Sequence, residues 1–127
     1  MTTVADVMSS DLIVVAPSAS VMEAARAMSL GEGGSALVME GDRASGIFTE
    51  RDIMRALAQG NADVGRTSRV DGWMSRDPVT VGLDATVGEA LDIMLAHGFR
   101  HLVVVAEGGA AMGVVSMRDL AGRIARP

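Results

Sequence analysis

Taken as apolar and polar positions, the chain alternates short β-branched runs with stretches of helical spacing. An apolar-periodic piece at 4–8 predicts one or two helical turns. Leu12-Ile13-Val14-Val15 is β-branched and followed by Pro17, which predicts a short strand. Val21, Ala24, Ala25 and Met28 then recur at helical spacing. A helix over 21–30 is expected, with Ser18 or Ser20 as its N-cap and Glu23 where a capping box needs it. Gly31-Glu32-Gly33-Gly34 should stop that helix. Residues 35–39 read as a second strand, Gly41-Asp42-Arg43 as a turn and 44–48 as a third strand, after which Thr49 caps a helix over 50–58. A polar, glycine-bearing stretch at 60–69 reads as a linker. Beyond it the order returns. A strand at 79–81 precedes a helix over 87–97 capped by Thr86, and strands at 102–105 and 112–115 flank Glu107-Gly108-Gly109. Ser116 caps a last helix that runs to about 124.

The return is a duplication. Gly46-Ile47-Phe48-Thr49-Glu50-Arg51-Asp52 comes back as Gly113-Val114-Val115-Ser116-Met117-Arg118-Asp119. Met8-Ser9-Ser10-Asp11 is echoed by Met74-Ser75-Arg76-Asp77, and Val21-Met22-Glu23-Ala24 by Val87-Gly88-Glu89-Ala90. The offset is 66 residues upstream and 67 at the Gly/Asp motif, so the second copy carries one extra residue in the loop before it. Internal repetition of this length sets the fold. The expectation is a mixed α/β (α+β) protein of two pseudo-symmetric β-α-β-β-α repeats, 4–60 and 70–125. Repeats of about 60 residues bury little surface alone, so they are expected to pack on each other through their sheets.

Composition narrows the function classes. Hydrophobic residues make up 49% of the 127, but Phe48, Phe99 and Trp73 are the only aromatics, so the core must be aliphatic and the ten methionines serve it as filler. Met22, Met28, Ile53, Met54, Leu57, Ile93, Met94 and Leu95 together offer more apolar helix surface than one small core needs, and a homodimer is expected. There is no cysteine for disulfides or thiolate chemistry. No signal peptide and no membrane span are visible, so a cytoplasmic location is the default expectation. The net charge is −5 and every basic residue is a scattered arginine, a poor basis for nucleic-acid binding. Without lysine the glycine-rich stretches cannot form a Walker-type loop. His97 and His101 have helical metal-pair spacing, but Gly98 falls between them and no third ligand accompanies them. No nucleophile-elbow set occurs, so no enzyme activity and no catalytic residues are expected.

What remains is a binding chemistry. Thr49 with Asp52, and Ser116 with Asp119, each place a hydroxyl and a carboxylate at a strand end that opens a helix. Both types suit helix caps there. The same helix start favours a bound phosphate, and a carboxylate suits two ribose hydroxyls. Arg100 and His101 stand just before a strand, where a guanidinium could meet phosphate oxygens. Their counterparts in the first copy are Gly34 and Ser35, and the counterpart of Thr80 is Val14. Arg118, inside the second motif, fits a phosphate contact and a solvated helix face equally.

The order of elements, closed twice by Gly-apolar-apolar-Thr/Ser-x-x-Asp, resembles the CBS domain. Two in tandem are similar to a CBS pair, or Bateman module. Val7-Met8-Ser9, Asp77-Pro78-Val79-Thr80-Val81, Ala85-Thr86-Val87-Gly88-Glu89-Ala90 and the run from His97 to Val105 all agree with it, over nearly the whole chain. The resemblance implies a stand-alone regulatory module without a required cofactor. It would sense an adenine-containing ligand (AMP, ADP, ATP or S-adenosylmethionine) in the cleft between the repeats. Asp52 or Asp119 would clasp the ribose. Thr49, Ser116, Thr80, Arg100, His101 and Arg118 would lie toward phosphate or ribose. Such pairs commonly dimerise and act on a protein target, here unknown. The competing expectation is a ligand-independent oligomerisation or adaptor protein that uses the fold for its surface. The better-equipped second copy predicts unequal sites.

Overall fold

The computed structural model describes residues 2–31, 33–61 and 63–124, with the backbone alone at 123 and 124. Two compact units result, Ile13–Pro78 and a second formed by Met1–Leu12 together with Val79–Pro127.

In Ile13–Pro78, β1 (Val14–Val15) leads through α2 (Val21–Gly31) to β2 (Ser35–Glu40), β3 (Arg43–Thr49) and α3 (Glu50–Gln59). The strand order is β1-β2-β3-β4, with β4 at Ser75–Arg76. β1 is parallel to β2, a pairing that needs a crossover, and α2 supplies it. β2 and β3 form an antiparallel hairpin around Gly41, whose φ of 66° is the left-handed region that glycine enters without strain. Alternation puts Ala36, Val38 and Phe48 on the sheet face that packs with Val21, Ala24 and Met28 of α2 and Ala56 of α3.

The other unit repeats the plan with β5 (Thr80–Gly82), α5 (Val87–His97), β6 (His101–Val105), β7 (Ala111–Ser116) and α6 (Met117–Ile124), in strand order β5-β6-β7. Thr86 accepts a hydrogen bond from Glu89 N–H at 3.1 Å, and the Glu89 carboxylate accepts from Thr86 N–H at 3.1 Å, closing the expected capping box. Its core joins Val81, Leu102, Val104 and Val115 to Val87, Ala90, Met94 and Leu120. The extra residue of the second copy lies in the hairpin. Met39 pairs with Ala44 across four residues, and the corresponding Val105 pairs with Ala111 across five.

Several expectations change. Residues 60–69 are more than a linker: α4 (Val64–Thr67) forms there, and Val64 and Val70 are buried in the core of Ile13–Pro78. These two apolar anchors hold down an otherwise polar segment. The proposed stop after α2 includes Glu32, which lies outside the described residues; the helix itself extends through Gly31. Met28 and Met94 are core residues and add nothing to the surplus apolar surface. β4 is unanticipated.

The leading segments exchange places. α1 (Val4–Val7) precedes the first copy but packs in the core built by the second, and Val4 N–H donates to Ala85 O at 2.8 Å. Its counterpart, the 3-10 turn Val70–Gly72, sits in the other core with Val70 N–H on Ala19 O at the same 2.8 Å. Ser9 bridges Val114 just as Ser75 of β4 pairs with Ile47. This explains the two motif glycines. A Cβ on Gly46 would overlap the Met74 side chain, and one on Gly113 would meet Met8 Sδ at 2.5 Å and the Ser9 carbonyl at 2.8 Å.

The cores reach similar filling by different residues. Ala36 stands opposite Phe48, whereas Leu102 stands opposite Val115 at the equivalent places. Directly opposed side chains share one volume. Phe48→Val alone should therefore leave a cavity, and Ala36→Leu alone should overpack. The double variant, which copies the second repeat, should recover most of the loss, with a coupling of about 0.5–3 kcal/mol. Urea unfolding of the four proteins reads this directly, and strict additivity would refute it.

Candidate functional site

The same alternation that fills each core sends the remaining sheet residues to the opposite face. Thr80 pairs with Val103, Val103 with Val114 and His101 with Ser116, so Thr80, His101, Val103, Val114 and Ser116 share the face turned away from α5 and α6. In Ile13–Pro78 the equivalent face carries Val14, Ser35, Leu37, Ile47 and Thr49. The two faces differ in polarity at one position, Thr80 against Val14, and in residue type at another, His101 against Ser35.

At the end of β7 the chain turns into α6. Met117 N–H donates to Arg100 O at 2.7 Å, which fixes Arg100 and His101 beside the start of the helix. Asp119 sits in its first turn, where Oδ2 accepts Ser116 N–H at 2.8 Å; Asp119 N–H in turn donates to Ser116 Oγ at 3.1 Å. This reciprocal cap uses one carboxylate oxygen and leaves the Ser116 hydroxyl proton uncommitted to it. Arg118 is exposed on the same turn and Asp119 is half-buried. The structure thus brings Arg100, His101, Ser116, Arg118 and Asp119 to one corner, with Thr80 two residues further along the sheet on the shared face.

The first copy caps its helix with the same residue pair but spends it differently. Asp52 Oδ2 accepts Thr49 N–H at 2.9 Å and the Thr49 hydroxyl at 3.2 Å. Asp52 Oδ1 accepts from Arg55 Nη1 at 2.8 Å, an ion pair in which the aspartate side chain is 6% exposed and the arginine 47%. The Arg55 guanidinium lies 5.9 Å from the Trp73 ring centroid, within cation–π reach. Both carboxylate oxygens and the hydroxyl proton are occupied. Arg55 is the residue that sequence reasoning missed, although its position three after Asp52, where Gly122 follows Asp119, was readable.

Among the described residues no group of three or more His, Cys, Asp or Glu could hold a metal ion, and no helix is long and apolar enough to cross a membrane. His97 stacks on Phe99 with ring centroids 5.6 Å apart.

Comparison with known proteins places this geometry. An uncharacterized 17.7 kDa protein of Acidianus ambivalens is 40% identical over 94% of this chain and 71% of its own length. The chain spans 60% or less of three further curated relatives that it matches. Among solved structures, a CBS domain pair in complex with 5-methylthioadenosine and S-adenosyl-L-methionine superposes with a TM-score of 0.87 at 24% identity, covering 98% of this chain and 96% of that one. A CBS domain protein of Pyrobaculum aerophilum complexed with AMP reaches a TM-score of 0.83 at 28% identity, covering 92% and 88%. The CBS domain pattern itself matches twice, at residues 4–59 and 68–126. Two copies of one β-α-β-β-α plan, each closed by a hydroxyl and a carboxylate at a helix start, are the two repeats of a tandem pair, and the chain belongs to the CBS domain family.

Proposed function

We propose that this chain is a regulatory, non-catalytic module that senses an adenosine-containing ligand of the AMP, ADP, ATP or S-adenosylmethionine class. The observation that carries the reading is the corner at the start of α6. There Asp119 spends one carboxylate oxygen on its reciprocal cap with Ser116, at a helix start whose Met117 N–H is tied to the Arg100 carbonyl. Asp119 would accept from the ribose hydroxyls, and Ser116 and Thr80 would contribute hydroxyls. Arg100, His101 and Arg118 would face phosphate where the ligand has one. Adenosyl ligands bound by the solved CBS proteins support the ligand class. The output would be a shift between two states that bind the ligand unequally, passed to a protein target.

Thermal unfolding with AMP, ADP, ATP and S-adenosylmethionine tests this. A ligand at a hundred times its dissociation constant adds about 2.7 kcal/mol of stability, which is readily seen as a raised Tm. Unchanged melting with all four would leave the adaptor reading in its place.

We further propose a homodimer. Met54 and Leu57 of α3 are 70% and 66% exposed, and Leu95 of α5 is 67% exposed. Met54 and Leu57 stand three residues apart on one helix, so they form a small apolar stripe that a partner copy could cover. Sedimentation equilibrium at micromolar protein should return twice the chain mass; a single-chain mass would refute it.

A further inference from the structure

We propose that Arg55 determines how many adenosyl ligands the chain takes, by holding the Asp52 carboxylate closed. This rests on the adenosyl-sensing reading and adds to it a residue and a stoichiometry. Asp52 is 4% exposed as a residue, the one charged side chain buried among the described residues. Three of its roughly four acceptor sites are taken by Thr49 N–H, Thr49 Oγ1 and Arg55 Nη1, so that both oxygens are engaged. A ribose diol approaching Asp52 must displace a guanidinium that is charge-assisted at 2.8 Å and steadied by the Trp73 ring at 5.9 Å. Among the described residues no ion pair opposes Asp119. The position three residues after it is Gly122, which has no side chain, and the counterpart of Trp73 is Val7. The two repeats share the clasp residue and differ in whether their own chain already fills it.

Arg55→Ala removes the guanidinium and keeps the helix, since alanine is the best helix former. Equilibrium dialysis with AMP and with S-adenosylmethionine should give one ligand per chain for the native protein. It should give two per chain for Arg55→Ala, and one again for Arg55→Lys, which preserves the ion pair, and for Arg55→Ala with Asp52→Asn. Carbodiimide coupling of a small amine, read by peptide mass, reports the same lock without any nucleotide: Asp119 should label readily in the native protein and Asp52 only in Arg55→Ala. Two ligands per native chain, one per Arg55→Ala chain, or Asp52 labelling as fast as Asp119 in the native protein would each overturn the proposal. If neither probe binds any variant while Asp52 labels only after Arg55→Ala, the lock stands and the adenosyl reading falls.

Discussion

Phe48→Ala is expected to lower the stability of this protein by about 3–5 kcal/mol, as large-to-small changes of a buried phenylalanine do. Phe48 is fully buried, and it is the aromatic ring at the centre of the Ile13–Pro78 core, between the sheet and the helices α2 and α3. Its direct cross-strand neighbour is Ala36, too small to reach into the space the ring would leave. The cavity cannot collapse cheaply, because β2 and β3 are tied to each other along six residue pairs and β3 is also held by β4. Native domains have only about 5–15 kcal/mol in hand, so this one change should take a large share of it. Chemical denaturation at fixed temperature measures the loss, and a midpoint shift worth less than about 1 kcal/mol would show that the ring is not the keystone of this core.

Much of the fold was legible because the two periodicities are clean. Val21, Ala24 and Met28 had to face one way on a helix, and all three are buried. The caps at Thr49, Thr86 and Ser116 were readable from residue type and spacing, and the choice between Ser18 and Ser20 falls to Ser20, since a short polar side chain at a helix start has few better uses. What was not legible is which core an apolar residue enters. Val4 and Val70 advertise burial, but hydrophobicity carries no address, so the exchange of leading segments needed three dimensions. β4 was hidden for a related reason. Ser75 and Arg76 have neither alternation nor β-branching, and they become a strand because Gly46 and Ile47 offer an open edge with no side chain at Gly46 to keep Met74 away. In the proposed site, residue type and spacing singled out Arg100, His101, Ser116 and Asp119, and the structure places all four at the start of α6. Unequal sites were expected from Val14, Gly34 and Ser35 in the first copy; the structure adds a different contrast between the two carboxylates, the ion pair of Arg55 on Asp52. An ion pair three residues apart on a helix can be written down from the sequence, but whether it forms depends on burial, here on Trp73 and the sheet beside it.

Asp119→Ala is expected to weaken adenosyl-ligand binding by about 10- to 150-fold, the equivalent of about 1.5–3 kcal/mol for a lost charge-assisted hydrogen bond. Asp52→Ala is expected to leave the affinity within about 2-fold and to be the more damaging to the fold. The reason is what each carboxylate does. Asp119 spends one oxygen on Ser116 N–H and is half-buried, so its removal costs a cap and takes away a reachable acceptor. Asp52 is buried and committed, so its removal strands the Thr49 N–H and leaves the Arg55 guanidinium without its counter-ion. A donor left unsatisfied costs about 1–3 kcal/mol. The two substitutions, chemically the same and at equivalent places in a duplicated sequence, should therefore separate: one a binding variant with a modest fall in Tm, the other a stability variant with ordinary binding. Calorimetry with AMP and S-adenosylmethionine, beside thermal unfolding of the same samples, reads both axes. Equal losses of affinity would remove the asymmetry between the repeats. Unchanged affinity in both would move the ligand away from either helix start, and binding in neither the native protein nor the variants would leave the fold as a surface for protein contacts.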